Sequence, residues 1–86
     1  MSVYVDHARN RFGRMLMNHM IADTLDELHA MADRIGVARS WFQKRASFPH
    51  YDICEARRDD ALARGAVAVT ARELVSIIRR LRGSFS

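Results

Sequence analysis

The chain holds one cysteine, one proline and one tryptophan in 86 residues. With Cys54 alone no internal disulfide can form, so the sequence reads as a protein of a reducing compartment. No apolar run approaches the ~20 residues needed to span a bilayer. The first residues lack the basic-then-apolar pattern of a signal peptide. The expectation is a cytoplasmic protein with no membrane partner. No HExxH, Walker, GxGxxG or paired-cysteine signature is present, so no single motif announces a chemistry.

What is there is globular: 49% hydrophobic and 28% charged residues, without a low-complexity tract. This length makes one compact domain, 1–86, with a frayed tail at 83–86. Its core is real but modest, so any cavity is shallow or shared between subunits. A formal net charge of +4 favours anionic partners such as nucleotides, nucleic acid or phosphate. The arginines are spread along the chain, however, and a solvated basic surface explains them equally well.

Hydrophobic patterning gives the order of elements. Ser2–Asp6 alternates as a short strand, and 7–13 reads as a polar, basic surface loop with a turn at Gly13. Met15–Ala22 is apolar on both faces and reads as a central strand interrupted by Asn18 and His19. Thr24 and Glu27 form a capping box, followed by an apolar stripe of Leu25, Leu28, Met31, Ala32 and Ile35, with Gly36 as the stop. Ser40–Gln43 reads as a short strand, about 53–64 as a second helix, 66–69 as a strand and 70–82 as a third helix behind Thr70 and Glu73. Alternation of this kind predicts an α/β fold, a mostly parallel sheet of about four strands with three helices, and ligands gathered at the carboxyl ends of the strands. The eight residues between the first two strands are too few for an ordinary parallel crossover. If that pair is antiparallel, Asp6 and Asp23 lie at opposite ends.

The densest chemistry lies in Phe48–Glu55. Pro49 biases the chain to arrive extended, and Asp52 with Glu55 fits a helix cap. His50 and Tyr51 would then sit just before a helix N-terminus, where anions are favoured. His19 is either a satisfied core histidine or a functional one. His29, at the edge of the first helix's apolar stripe, reads as a half-buried packing residue, and Cys54 as buried or incidental.

The ordered set Tyr4-Val5-Asp6, Gly13-Arg14-Met15, His19-Met20-Ile21-Ala22-Asp23, Glu27-Leu28-His29-Ala30-Met31-Ala32, His50-Tyr51-Asp52, Gly65-Ala66 and Arg72-Glu73-Leu74 resembles a small family of bacterial and phage proteins. That family is known as domain of unknown function 4031. The resemblance implies a free-standing compact domain and supplies no activity.

Two functions of different kind follow. The first is a phosphate-ligand (nucleotide or nucleic acid) binding protein or metal-dependent hydrolase. His50, Asp52 and His19 are its candidate catalytic residues. Arg14, Tyr51 and Asp6 are candidate ligand-binding residues, and Asp23 with His19 candidate ligands of a divalent metal. Carboxylates with imidazoles suit such a cation, which can supply a nucleophilic water. The second is a non-catalytic basic adaptor for nucleic acid or a protein partner, or a homo-oligomer. Basic loops at 9–14 and 44–45, flanked by Phe12, Trp41 and Phe48, would contact phosphates and stack bases.

Overall fold

The longest strand, β3 (Met15–Ala22), organises the molecule. The computed structural model describes residues 2–44 and 48–85. Strand β1 (Val3–Val5) runs antiparallel to the second half of β3, pairing Val3 with Ala22 and Val5 with Met20. Strand β2 (Asn10–Phe12) folds back on the first half of β3 through the two-residue turn Gly13-Arg14, with Phe12 opposite Met15. Gly13 has φ +61°, the backbone a tight hairpin turn requires and a side chain resists. The segment read as a surface loop is therefore half strand, and its Arg45–Ser47 counterpart lies outside the described residues.

Helix α1 (Leu25–Arg34) starts as expected, with Thr24 Oγ1 accepting from Glu27 N–H at 3.2 Å. A short 3₁₀ turn, Arg39–Trp41, leads into β4 (Phe42–Gln43). Strand β5 (His50–Cys54) lies antiparallel to both β4 and β3. Helix α2 (Glu55–Ala63) follows directly. Strand β6 (Val67–Ala68) then pairs parallel to β1, and α3 (Ala71–Phe85) closes the chain. Its first turn carries the reciprocal cap: Glu73 N–H donates to Thr70 Oγ1, and Thr70 N–H to Glu73 Oε1. Helix α3 continues past Gly83, where the sequence suggested fraying.

The fold is α/β, but two expectations need correction. Among the described residues there are three α-helices and a sheet of six strands, in the order β4-β5-β3-β1-β6 with β2 beside β3, and every pairing among them except β1 with β6 is antiparallel. Short links decide the pairing of β1, β2 and β3 and of β4 with β5, because a hairpin spans few residues whereas a parallel neighbour needs a crossover of a dozen or more; β5 meets β3 antiparallel only after α1 and β4. The Asp52 cap is also corrected. Asp52 sits in mid-strand, and the residue before α2 is Cys54, with no side-chain cap bond. The period-2 burial of Tyr51 and Ile53 between half-buried His50, Asp52 and Cys54 is a strand pattern, and it outweighs a local cap signal.

One face of the sheet packs Val5, Met20, Ala22, Tyr51 and Ile53 against Leu28, Met31 and Ala32 of α1 and Ala61 of α2. Met20 and Tyr51 are fully buried. Side chains of this kind each stabilise by roughly 1.5–3 kcal/mol. The other face is covered only in part. Leu74 and Leu81 of α3, with Ile77 and Ile78, pack on Ile21, Phe48 and Tyr4. Helix α3 thus shields one end of β3 and leaves His19 half-buried beside it, while Met17 is buried and Met15, at the far end of the strand, is 41% exposed. That is why β3 is apolar on both sides at Met20-Ile21-Ala22 yet carries a histidine at position 19.

Candidate metal centre

Strand pairing assembles the site. Asp52 on β5 is the register partner of His19 on β3, so the two side chains leave the sheet on one face about 4.5–5.5 Å apart at Cβ. His50 is two residues before Asp52 and shares that face. Asp6, just beyond β1, donates its main-chain N–H to His19 carbonyl at 3.1 Å and so flanks His19 on the opposite side. The result is a row, Asp6, His19, Asp52, running across three adjacent strands, with His50 beside it.

Hydrogen bonds fix which nitrogen of each imidazole is occupied. His50 Nδ1 lies 2.8 Å from Phe48 carbonyl, which only accepts, so Nδ1 carries the proton. His50 Nε2 lies 3.3 Å from Asp52 Oδ1. In neutral imidazole that nitrogen is a lone pair, and two acceptors face each other unless a proton or a metal cation stands between them. His19 Nδ1 lies 2.7 Å from Asp6 Oδ2, leaving Nε2 as its remaining nitrogen. The two rings meet edge to face with centroids 5.2 Å apart.

The Asp6 carboxylate is 3% exposed and well satisfied. It accepts from the His19 main-chain N–H at 2.7 Å and from Ala8 N–H at 3.4 Å, as well as from the ring. Burial pushes this carboxyl up, but the His19 ring and main-chain bonds, with the His19 charge, outweigh it and hold the pKa below the ordinary value. The Asp6 hydrogen bond raises the His19 pKa against the opposing effect of burial, helped by the charges of Asp6 and Asp52. A buried carboxylate bonded to the far nitrogen of an imidazole is the support that metal-binding histidines commonly have, since it sets the tautomer and raises ligand basicity.

His19, His50 and Asp52 each offer a ligand atom, all within 4.8 Å of one another. Ligands ~2.0–2.1 Å from a tetrahedral zinc stand about 3.4 Å apart. His50 and Asp52 already have that spacing, at 3.3 Å. Two imidazoles and one carboxylate leave coordination positions open for water or substrate. A cleft of about 200 Å³ opens beside them, lined also by Asn10, Arg11, Phe12 and Met17. The β2 register turns Asn10 and Phe12 to the face of the site, while Arg11 borders the cleft between them.

The sequence-predicted residues divide into three groups. His19, His50 and Asp52 come together, with Asp6 behind His19. Tyr51 leaves β5 on the other face, fully buried, with its hydroxyl 2.7 Å from His29 Nδ1. Asp23 lies at the far end of the β1–β3 pair, accepting from Ser2 N–H at 2.8 Å and Tyr4 hydroxyl at 2.9 Å, with Arg80 at 3.6 Å. Arg14 is exposed in the β2–β3 turn. The site thus forms on a sheet face, not at strand carboxyl ends, because antiparallel pairing gives the strands no common end. Asn10 and Phe12 were missed as cleft residues, and the signal for them was the turn at Gly13, which makes 10–12 a strand facing β3.

The family model described as a protein of unknown function, DUF4031, matches residues 3–81, and the chain belongs to that family. No curated protein and no solved structure matches the chain. Among the described residues no helix is long and apolar enough to cross a membrane.

Proposed function

We propose that this DUF4031 protein is a metal-dependent hydrolase of a phosphate-containing ligand, with His19 Nε2, His50 Nε2 and a carboxylate oxygen of Asp52 holding a divalent cation. The observation that carries the reading is the convergence of three lone-pair donors, two of them on imidazoles whose other nitrogens are already committed. A divalent cation held by these three side chains would attract an anionic phosphate group and would supply an activated water for hydrolysis, so that ester and water would give phosphate and alcohol. Asp6 holds the His19 ring in place throughout.

Calorimetric titration of the metal-free protein with Zn²⁺ and Mn²⁺ tests the proposal. One equivalent is expected to bind the native chain, and His50→Ala is expected to abolish binding while the circular dichroism spectrum stays native. A His50→Ala protein that binds metal as tightly as the native chain refutes the assignment, and one that unfolds gives His50 a structural role instead.

A second reading, the non-catalytic nucleic-acid adaptor, is favoured by Phe12. Its ring is 59% exposed, stands edge-on to Trp41 at 5.8 Å and is flanked by Arg11 and Arg14. Binding to single strands that weakens steeply with salt would support it, and no binding to any strand at low salt removes it.

A further inference from the structure

The imidazole pair borders two cavities of opposite character. On one side is the polar cleft with Asn10 and Arg11. On the other, under α3, lies a half-open cavity of about 190 Å³ lined by His19, Ile21, Phe48, His50, Leu74 and Ile78. Apart from the two histidines, every side chain of that lining among the described residues is apolar. His50 has one nitrogen on the Phe48 carbonyl and His19 one on Asp6, so neither ring has a spare donor for a guest once the centre is loaded. A cavity of ~150 Å³ lined by aliphatic and aromatic groups is large enough for benzene. The space here, about 190 Å³, therefore takes one six-membered ring or a short alkyl chain.

Resting on the hydrolase reading and narrowing it, we infer that the substrate is a phosphoester whose anionic group sits at the metal while an apolar aryl or alkyl group fills the cavity under α3. A nucleobase suits this cavity poorly. Its ring edge carries several donors and acceptors, and burying each of them without a partner is unfavourable. The nucleotide expected from composition is thus replaced by an apolar ester.

The test uses the Zn²⁺-loaded full chain and three probes: phenylphosphonate, methylphosphonate and adenosine 5′-monophosphate. Phenylphosphonate is expected to bind at least about tenfold tighter than methylphosphonate, since even one methylene in a fitted apolar pocket is worth that much. It is also expected to bind tighter than the nucleotide. Ile78→Trp, which fills the cavity from α3, should erase the preference for the phenyl group while leaving Zn²⁺ and methylphosphonate affinities unchanged. Ile78→Phe serves the same purpose if the tryptophan variant does not fold. Equal affinity for the two phosphonates, tighter binding of the nucleotide, or a preference that survives filling of the cavity overturns the inference. If Zn²⁺ itself does not bind, the hydrolase reading fails and this inference with it. If Zn²⁺ binds and the two phosphonates bind alike, only the substrate assignment falls.

Discussion

Asp6→Asn separates a metal-supporting carboxylate from a merely structural one. Asparagine is nearly isosteric, and its oxygen can keep the 2.7 Å bond from the His19 main-chain N–H. Its amide NH₂ then occupies the place of Oδ2, 2.7 Å from His19 Nδ1. An amide donates there where the carboxylate accepted, so Nδ1 becomes the lone-pair nitrogen and the proton moves to Nε2, blocking the donor the metal needs. Loss of a partner of this kind costs 10- to 100-fold in metal affinity, or about 1.4–2.8 kcal/mol. The fold loses a charge-assisted bond and keeps the rest, a cost of roughly 1–2 kcal/mol, or several degrees in Tm for a domain of this size. Zn²⁺ titration, or the visible bands of Co²⁺, reads the first quantity, and thermal unfolding of the metal-free protein the second. A folded Asp6→Asn protein that binds metal within twofold of the native chain would refute the tautomer argument.

Two further perturbations probe the other face of the sheet. Tyr51→Phe removes a buried hydroxyl bonded to His29 and is expected to destabilise by about 1 kcal/mol in urea unfolding. Metal affinity should stay unchanged, and a loss of metal binding would return Tyr51 to the site. Burial, and then the charge of Arg39, hold His29 below its ordinary pKa of 6.5. The unfolded chain therefore takes this proton first, and the stability linked to His29 is present above pH 6.5 and is lost as the pH falls through the folded value. His19, whose pKa is raised by Asp6, acts oppositely: its contribution is full below pH 6.5 and lost as the pH rises through its folded value. His29→Gln isolates the first effect. Between pH 7.5 and pH 5.5 the stability of the native chain should fall relative to that of the variant, and an equal change in the two proteins would show that His29 is not the titrating group.

The helix starts at Thr24 and Thr70 and the glycine stop at Gly36 are local matters, and they are readable because a cap is made by residues three apart. His19, His50 and Asp52 were legible as chemical types for a similar reason: polar, ionisable groups stand out in apolar strands. Strand β5 was less so. Its cap-like Asp52 and Glu55 compete with the alternation of Tyr51 and Ile53, and burial of those two against β3 and α1 settles the contest.

The sequence by itself determined that this is a small α/β domain with helix starts at Thr24 and Thr70, an apolar central strand and a histidine inside it. Tertiary structure alone decided the antiparallel order of the sheet and the register that sets His19 opposite Asp52. It also decided the separation of Asp23 and Tyr51 from the site. A strand's own residues specify which side chains alternate. They do not specify which strand lies beside it or at what offset, because a shift of one residue changes nothing local and turns every side chain to the other face.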